Sequence, residues 1–252
     1  MPFINPEAGH LTVLNLFKTD SRDRVDTLVD EMKKIVDVAA YPGWISSTVH
    51  RGQQNPGTAN FIQWRGMDDL ESRYNDSEFK HHTVPVFREI TTYVRLMQTE
   101  VELSQRHPEY GDVTEVSPER DDYTVIEILG VKPNQQGALV DTLGAAHEWL
   151  VDVPGYRSQS ILRGIRSRNL DGGEGTLATV GTDNDFVVVY SQWDGKVFYD
   201  SFRNQPEAQW IRARDAYQEK RYALTTSVDW NGYRAVHTRS AEQPVAEAAA
   251  AV

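Results

Sequence analysis

Residues 11–17 alternate apolar and polar positions, the period of a half-buried strand. Asp20 or Ser21 then offers an N-cap, and Val25, Leu28, Val29, Met32, Val36 and Ala39 recur behind it at helical spacing. Tyr41-Pro42-Gly43 ends that helix, because proline pushes the residue before it out of helical geometry and glycine permits the turn. The pattern then predicts strands over 44–51 and 60–65, a turn over 53–57, helices over 68–75 and 77–92, and a long strand over 92–103. This β-α-β-β-α-β order is that of a ferredoxin-like unit. It returns as a strand over 123–131, a helix over 135–151, strands over 156–163 and 186–193, helices over 195–203 and 206–221, and a strand over 224–230.

The letters repeat as well as the pattern. Thr12-Val13-Leu14 and Thr124-Val125-Ile126, Pro42-Gly43-Trp44 and Pro154-Gly155-Tyr156, and Arg51-Gly52 and Arg163-Gly164 are each 112 residues apart. Further on, Gln63-Trp64 and Gln192-Trp193 are 129 apart, as are Asn75 and Asn204, and Glu78 and Glu207. The change of offset marks an insertion over 167–185 carrying Gly172-Gly173-Glu174-Gly175. It lacks the Gly-Lys-Ser/Thr of a phosphate loop and the strand–helix context of a dinucleotide fingerprint. It reads equally as a loose hairpin and as a lid.

The fold class is therefore α+β, with two tandem ferredoxin-like domains over 1–105 and 123–239. Residues 106–122, polar and containing Pro108, Gly111 and Pro118, read as a linker, and the Ala- and Glu-rich 240–252 as a mobile tail. Each sheet carries helices on one face only. Two such sheets packing together predict a barrel-like pseudo-dimer within one chain.

Composition narrows the chemistry. The absence of cysteine excludes disulfides and thiolate sites. A net charge of −11 opposes nucleic-acid binding. The start lacks a signal-peptide pattern and no apolar run approaches a membrane span, so a soluble cytoplasmic protein is expected. Six Trp, eleven Tyr and eight Phe supply material for a flat apolar pocket as well as for core. No metal is expected, since His81 and His82 are adjacent and would point about 100° apart on a helix.

The segments Tyr41-Pro42-Gly43-Trp44, Asn60-Phe61-Ile62-Gln63-Trp64 and Asn75-Asp76-Ser77-Glu78-Phe79-Lys80-His81 carry a resemblance. So do their counterparts Val153-Pro154-Gly155-Tyr156, Val189-Tyr190-Ser191-Gln192-Trp193 and Asn204-Gln205-Pro206-Glu207-Ala208-Gln209-Trp210. The chain resembles the antibiotic-biosynthesis monooxygenase (ABM) superfamily of dimeric α+β barrels. Its tandem form is most similar to the oxygenases that open the B ring in atypical angucycline (jadomycin, gilvocarcin, kinamycin) biosynthesis. That resemblance implies O2-dependent C–C cleavage of a polycyclic aromatic polyketide, with reduced flavin (FADH2 or FMNH2) diffusing from a separate flavin reductase. Small single-copy relatives instead oxidise anthrones to quinones without a cofactor, and others degrade haem. A non-catalytic ligand-binding module on the same scaffold is a further alternative. A pseudo-dimer can also pair again as a homodimer.

Oxygen insertion beside a phenol needs a dry aromatic slot, a group that ionises or hydrogen-bonds the phenol, and donors for a developing oxyanion. The resemblance places such a pocket between sheet and helices, with Trp64 in its wall; Trp64 reads equally as core filler. The catalytic candidates are His50, Trp64, His81, His82 and Trp193. His50 serves as a base if its side chain faces inward, and otherwise sits on the surface. The substrate-binding candidates are Asn60, Tyr74, Tyr93, His147, Arg163, Tyr190 and Trp210. His147 falls where the first half has Ile35, and Trp210 where it has His81. Such differences predict that only one copy keeps the chemistry.

Overall fold

In the computed structural model, which describes residues 2–77, 84–173, 176–183 and 185–241 (without the side chains of 84, 88 and 170–183), both predicted units are present. The first half runs β1 (Phe3–Ile4), β2 (Leu11–Lys18), α1 (Arg22–Asp37), β3 (Trp44–Gly52), β4 (Gly57–Trp64), α2 (Met67–Asn75), α3 (Val84–Ile90) and β5 (Tyr93–Arg106). After β6 (Thr114–Glu115), the second runs β7 (Tyr123–Val131), α4 (Gln136–Ala145), α5 (His147–Leu150), β8 (Tyr156–Gly173), β9 (Thr176–Asp183), β10 (Phe186–Trp193), α6 (Lys196–Arg203), α7 (Arg212–Leu224) and β11 (Thr225–Ser240). Among the described residues no helix is long and apolar enough to cross a membrane.

Local chemistry explains the turns. The Ser21 hydroxyl accepts from Arg24 N at the start of α1, which buries Val25, Leu28, Val29, Met32 and Val36. Gly43 and Gly155 sit at φ 74° and 77°, where a side chain is strained. Their carbonyls accept from Arg65 N and Asp194 N, each at 2.8 Å, pinning each Pro-Gly turn to the residue after the strand-end tryptophan.

Each half has the antiparallel order β3-β4-β2-β5 or β8-β10-β7-β11. The two sheets meet along their edges: β5 pairs with β8, and β11 with β3, closing an eight-stranded barrel to which β9 adds outside β8. Leu14, Phe61 and Met97 from one half and Ile126, Leu162 and Val188 from the other fill a single interior. The helices lie on the outer face. These seams also lengthen the strands. The predicted 156–163 strand runs to Gly173 because β5 pairs with it as far as Tyr93–Asp171, and the predicted 224–230 strand runs to Ser240 along β3. The predicted 135–151 helix breaks at Ala146, just after Gly144, a weak helix former packed against Leu103.

The linker expectation needs correction. Within 106–122, β6 pairs with β1, and buried Val116 and Ile4 close one end of the barrel core. Gln63 and Gln192 hold this plug, their amide nitrogens donating to Phe3 O and Glu115 O at 2.8 Å each. Ser46 and Ser158 in turn donate to the same glutamine carbonyls, both at 2.7 Å. In the repeated Gln-Trp pair, then, glutamine faces the barrel and tryptophan the helices, as strand alternation requires. Of the predicted tail, Ser240 ends β11 and Ala241 N donates to Ile45 O at 2.7 Å; residues 242–252 lie outside the described ones.

His50 takes the inward of its two alternatives, but it points into the barrel and not to the helix side: it is fully buried, with Nε2 2.8 Å from the Tyr190 hydroxyl. Burial lowers its pKa to about 4, so it is neutral at pH 7. The unfolded chain takes this proton near pH 6.5, before the folded one does. Stability from this group is therefore complete above about pH 6.5 and is lost as pH falls through about 4. Urea unfolding at pH 7 and 4.5 tests this. Wild type is expected to lose about 2 kcal/mol more than His50→Gln over that interval. Equal losses in the two proteins would contradict the assignment.

Candidate active site

Two cavities occupy matching positions, each between the outer face of one half's sheet and its helices. The first is about 280 Å³ and the second about 330 Å³. In the first, β2 and β4 place Asn15 and Asn60 directly opposite each other on the cavity-facing side. Trp64 at the end of β4, Trp44 from β3, and Leu70, Arg73 and Tyr74 from α2 complete much of the wall. The Asn15 amide shares a hydrogen bond with the Tyr74 hydroxyl, and the Arg73 guanidinium lies 3.8 Å from the Tyr41 ring centroid. Burial pushes the Tyr74 pKa up, opposed by Arg168, Asn15 and Arg73.

On this wall the Asn15 Oδ1 and Asn60 Oδ1 acceptors and the Trp64 Nε1 donor are buried without a hydrogen-bond partner among the described residues. A buried unpaired group costs about 1–3 kcal/mol. Such a set in an aromatic cavity can pair with a ligand that carries both hydrogen-bond donors and an acceptor.

In the second cavity the counterparts of these three atoms are replaced or paired. Val189 stands opposite Glu127 where the first half has Asn60 opposite Asn15. Glu127 pairs with Arg221 at 3.2 Å. Ser191, in the place of Ile62, accepts the Trp193 indole N–H at 3.1 Å. The Trp193 ring is packed by Tyr156, Tyr199 and Phe202, with centroids at 5.6, 5.4 and 5.1 Å. Phe202 and Arg203 replace Arg73 and Tyr74, and the Arg203 guanidinium lies 3.5 Å from the Trp230 ring centroid.

The predicted site residues thus divide. Asn60, Trp64 and Tyr74 line the first cavity, while Trp193 and Trp210 line the second. Trp210 donates to Gln205 O at 2.9 Å. His50 and Tyr190 meet inside the barrel. Three further candidates also line neither cavity. Tyr93 lies under the Lys18 amine at 5.5 Å, and Arg163 pairs with Glu102 at 2.6 Å. His147, its pKa lowered by burial, sits with Nδ1 3.2 Å from the Tyr156 hydroxyl. His81 and His82 fall outside the described residues.

Sequence reasoning missed Asn15, Tyr41, Arg73 and Arg168. Asn15 was detectable, as a polar residue between Leu14 and Leu16 in a core strand. Arg168 was not, because β8 of the other half delivers it. Among the described residues no group of three or more His, Cys, Asp or Glu is arranged to hold a metal.

Comparison with known proteins agrees with this architecture. The chain superposes on the crystal structure of an anthrone oxidase-like protein with a TM-score of 0.86 and 45% identity, covering 98% of this chain and 100% of that one. A putative monooxygenase from Fusobacterium nucleatum (TM-score 0.57, 7% identity, 92% of this chain and 94% of that one) shares the fold. So does one from Lactobacillus acidophilus (TM-score 0.50, 8% identity, 93% and 100%). No family model matches the chain, and no curated protein does. Identity of 45% across the whole length goes beyond a shared fold, and the chain belongs to the anthrone oxidase-like family.

Proposed function

We propose that this oxygenase binds a flat, hydroxylated polycyclic ketone of the anthrone class in its first-half cavity and oxidises it with O2 to the quinone. The observation that carries this reading is the unpaired Asn15, Asn60 and Trp64 set, which matches the hydroxyl and carbonyl edge of such a ring system.

The chemistry asks little of the protein. Asn15 and Asn60 accept from the ring hydroxyls, and Trp64 donates to the ring carbonyl oxygen, where negative charge builds as the ring carbon loses its proton. The ring carbanion reduces O2 and a C–O bond forms. The O–O bond and the second C–H bond then break, so one oxygen atom stays as the carbonyl and the other leaves as water. Four electrons pass from the ring CH2 to O2, and the balance needs no further reductant. The aromatic wall excludes water from the reactive carbon.

The reduced flavin implied by the tandem resemblance does not fit this cavity beside a polycyclic substrate. About 280 Å³ with a mainly apolar described lining accommodates one ring system. No step here runs through a flavin. Angucycline-type ring opening, with flavin from a separate reductase, becomes a distinct outcome of the test.

Incubation of 1,8-dihydroxyanthrone with the protein under 18O2, without flavin, is expected to give the quinone with one labelled oxygen. Product appearing only with flavin, NADH and a reductase would favour ring opening; tight binding without oxygen uptake would favour a binding module. The variants locate the site. Trp64→Phe is expected to lower kcat/KM roughly 10- to 100-fold, the effect of removing one oxyanion donor. Trp193→Phe should stay within about twofold. Ile62→Ser keeps Trp64 but offers its N–H an internal acceptor, as Ser191 does for Trp193, and should lower kcat/KM roughly tenfold. Equal effects of the two Trp→Phe changes would remove the assignment to the first half.

A further inference from the structure

The first cavity is built by both halves. Its wall includes Arg168, which belongs to the second half and arrives across the β5–β8 seam. Strand β3 stops at Gly52, whereas β8 continues past the matching Gly164 as far as Gly173 and packs against α3. In that continuation Ser167 is buried and accepts from Arg95 Nε at 3.1 Å. Alternation therefore turns the next residue, Arg168, to the helix side of the sheet, where its neighbour across the seam, Leu96, also lines the cavity. The side chain is exposed, which places it at the cavity mouth. The matching first-half position is Pro56, in the turn between β3 and β4, so no such residue reaches the second cavity.

Charge gives this arrangement its meaning. The chain carries a net charge of −11, yet among the described residues lining the first cavity there is no Asp or Glu, and two are arginines, Arg73 and Arg168. Among the described residues Arg168 forms no ion pair. The second cavity is lined by Glu127 together with Arg203, Arg214 and Arg221, all four from the second half itself. A cationic pocket in an acidic protein favours an anionic ligand, and a guanidinium suits a planar oxyanion.

We propose that Arg168 is a specificity-determining residue of the first cavity, reading an anionic oxygen substituent, a carboxylate or an ionised phenol, at the end of the ring system that faces the mouth. The proposal rests on the assignment of that cavity as the substrate site. It makes the second half a contributor to recognition and not only a barrel wall.

The test is equilibrium binding of three probes, followed by tryptophan fluorescence, to wild type, Arg168→Gln and Arg168→Lys. The probes are anthraquinone-2-carboxylate, anthraquinone-2-carboxamide and 2-hydroxyanthraquinone, the last on either side of its phenol pKa. Wild type is expected to bind the carboxylate, or the ionised phenol, roughly tenfold or more tightly than the neutral carboxamide. Whichever anion is preferred names the group. R168Q should abolish the preference, weakening the anion far more than the carboxamide, and R168K should keep part of it. A purely structural role would weaken all probes alike and leave their ratio intact, which would overturn the proposal. So would equal binding of all probes by wild type, although the cavity assignment would survive. If no probe binds, the cavity assignment falls and the role of Arg168 falls with it.

Discussion

Two seams hold this molecule together. A ferredoxin-like sheet has two open edges, and unpaired edges invite pairing with whatever is nearby. Here each half closes the other: the last strand of each pairs with the second strand of its partner half, β5 with β8 and β11 with β3. Once both seams form, the inner faces share one core and every helix is left on the outside. The remaining opening at one end is filled by Ile4 and Val116, held there by Gln63 and Gln192.

Fusion in one chain frees the halves to differ. His50 and Tyr190 are hydrogen-bonded across the barrel, but their counterparts at offsets of 112 and 129 are Leu162 and Phe61. A symmetric pair of identical units would place two histidines and two tyrosines in that core. The same freedom separates the outer cavities. One set of changes, Asn60 to Val189 and Ile62 to Ser191, removes the need for an outside partner or supplies an internal one, so the strand-borne groups left unpaired in the first cavity have no unpaired counterparts in the second. The insertion after Gly164 then extends one seam and carries Arg168 to that cavity.

How much of this was legible in the sequence follows from the range of the interactions. The element order, the Pro-Gly turns and the fused barrel rest on local patterns and on a fixed repeat. Asn60, Trp64 and Tyr74 reach the first cavity because strand alternation and the start of α2 place them there. The orientation of His50 needed the seam, since inside and outside exchange with a single residue of strand register. The extensions of β8 and β11 are polar and carry little strand signal of their own; pairing with the opposite half makes them strands. Arg168 was hidden for the same reason. Residues 106–122 looked like a linker because the apolar plug amounts to Val116 and a two-residue strand among polar turns.

The two copies share a fold, and the first keeps a cavity whose buried strand-borne polar groups await a ligand. The most direct measurement is a crystal structure of the chain grown with 1,8-dihydroxyanthraquinone, the product-like quinone. The account predicts the ring system between β2, β4 and α2, with a ring oxygen within hydrogen-bond distance of Trp64 Nε1 and a hydroxyl on Asn15 or Asn60. A quinone seated instead against Trp193 in the second half, with the first cavity empty, would contradict it.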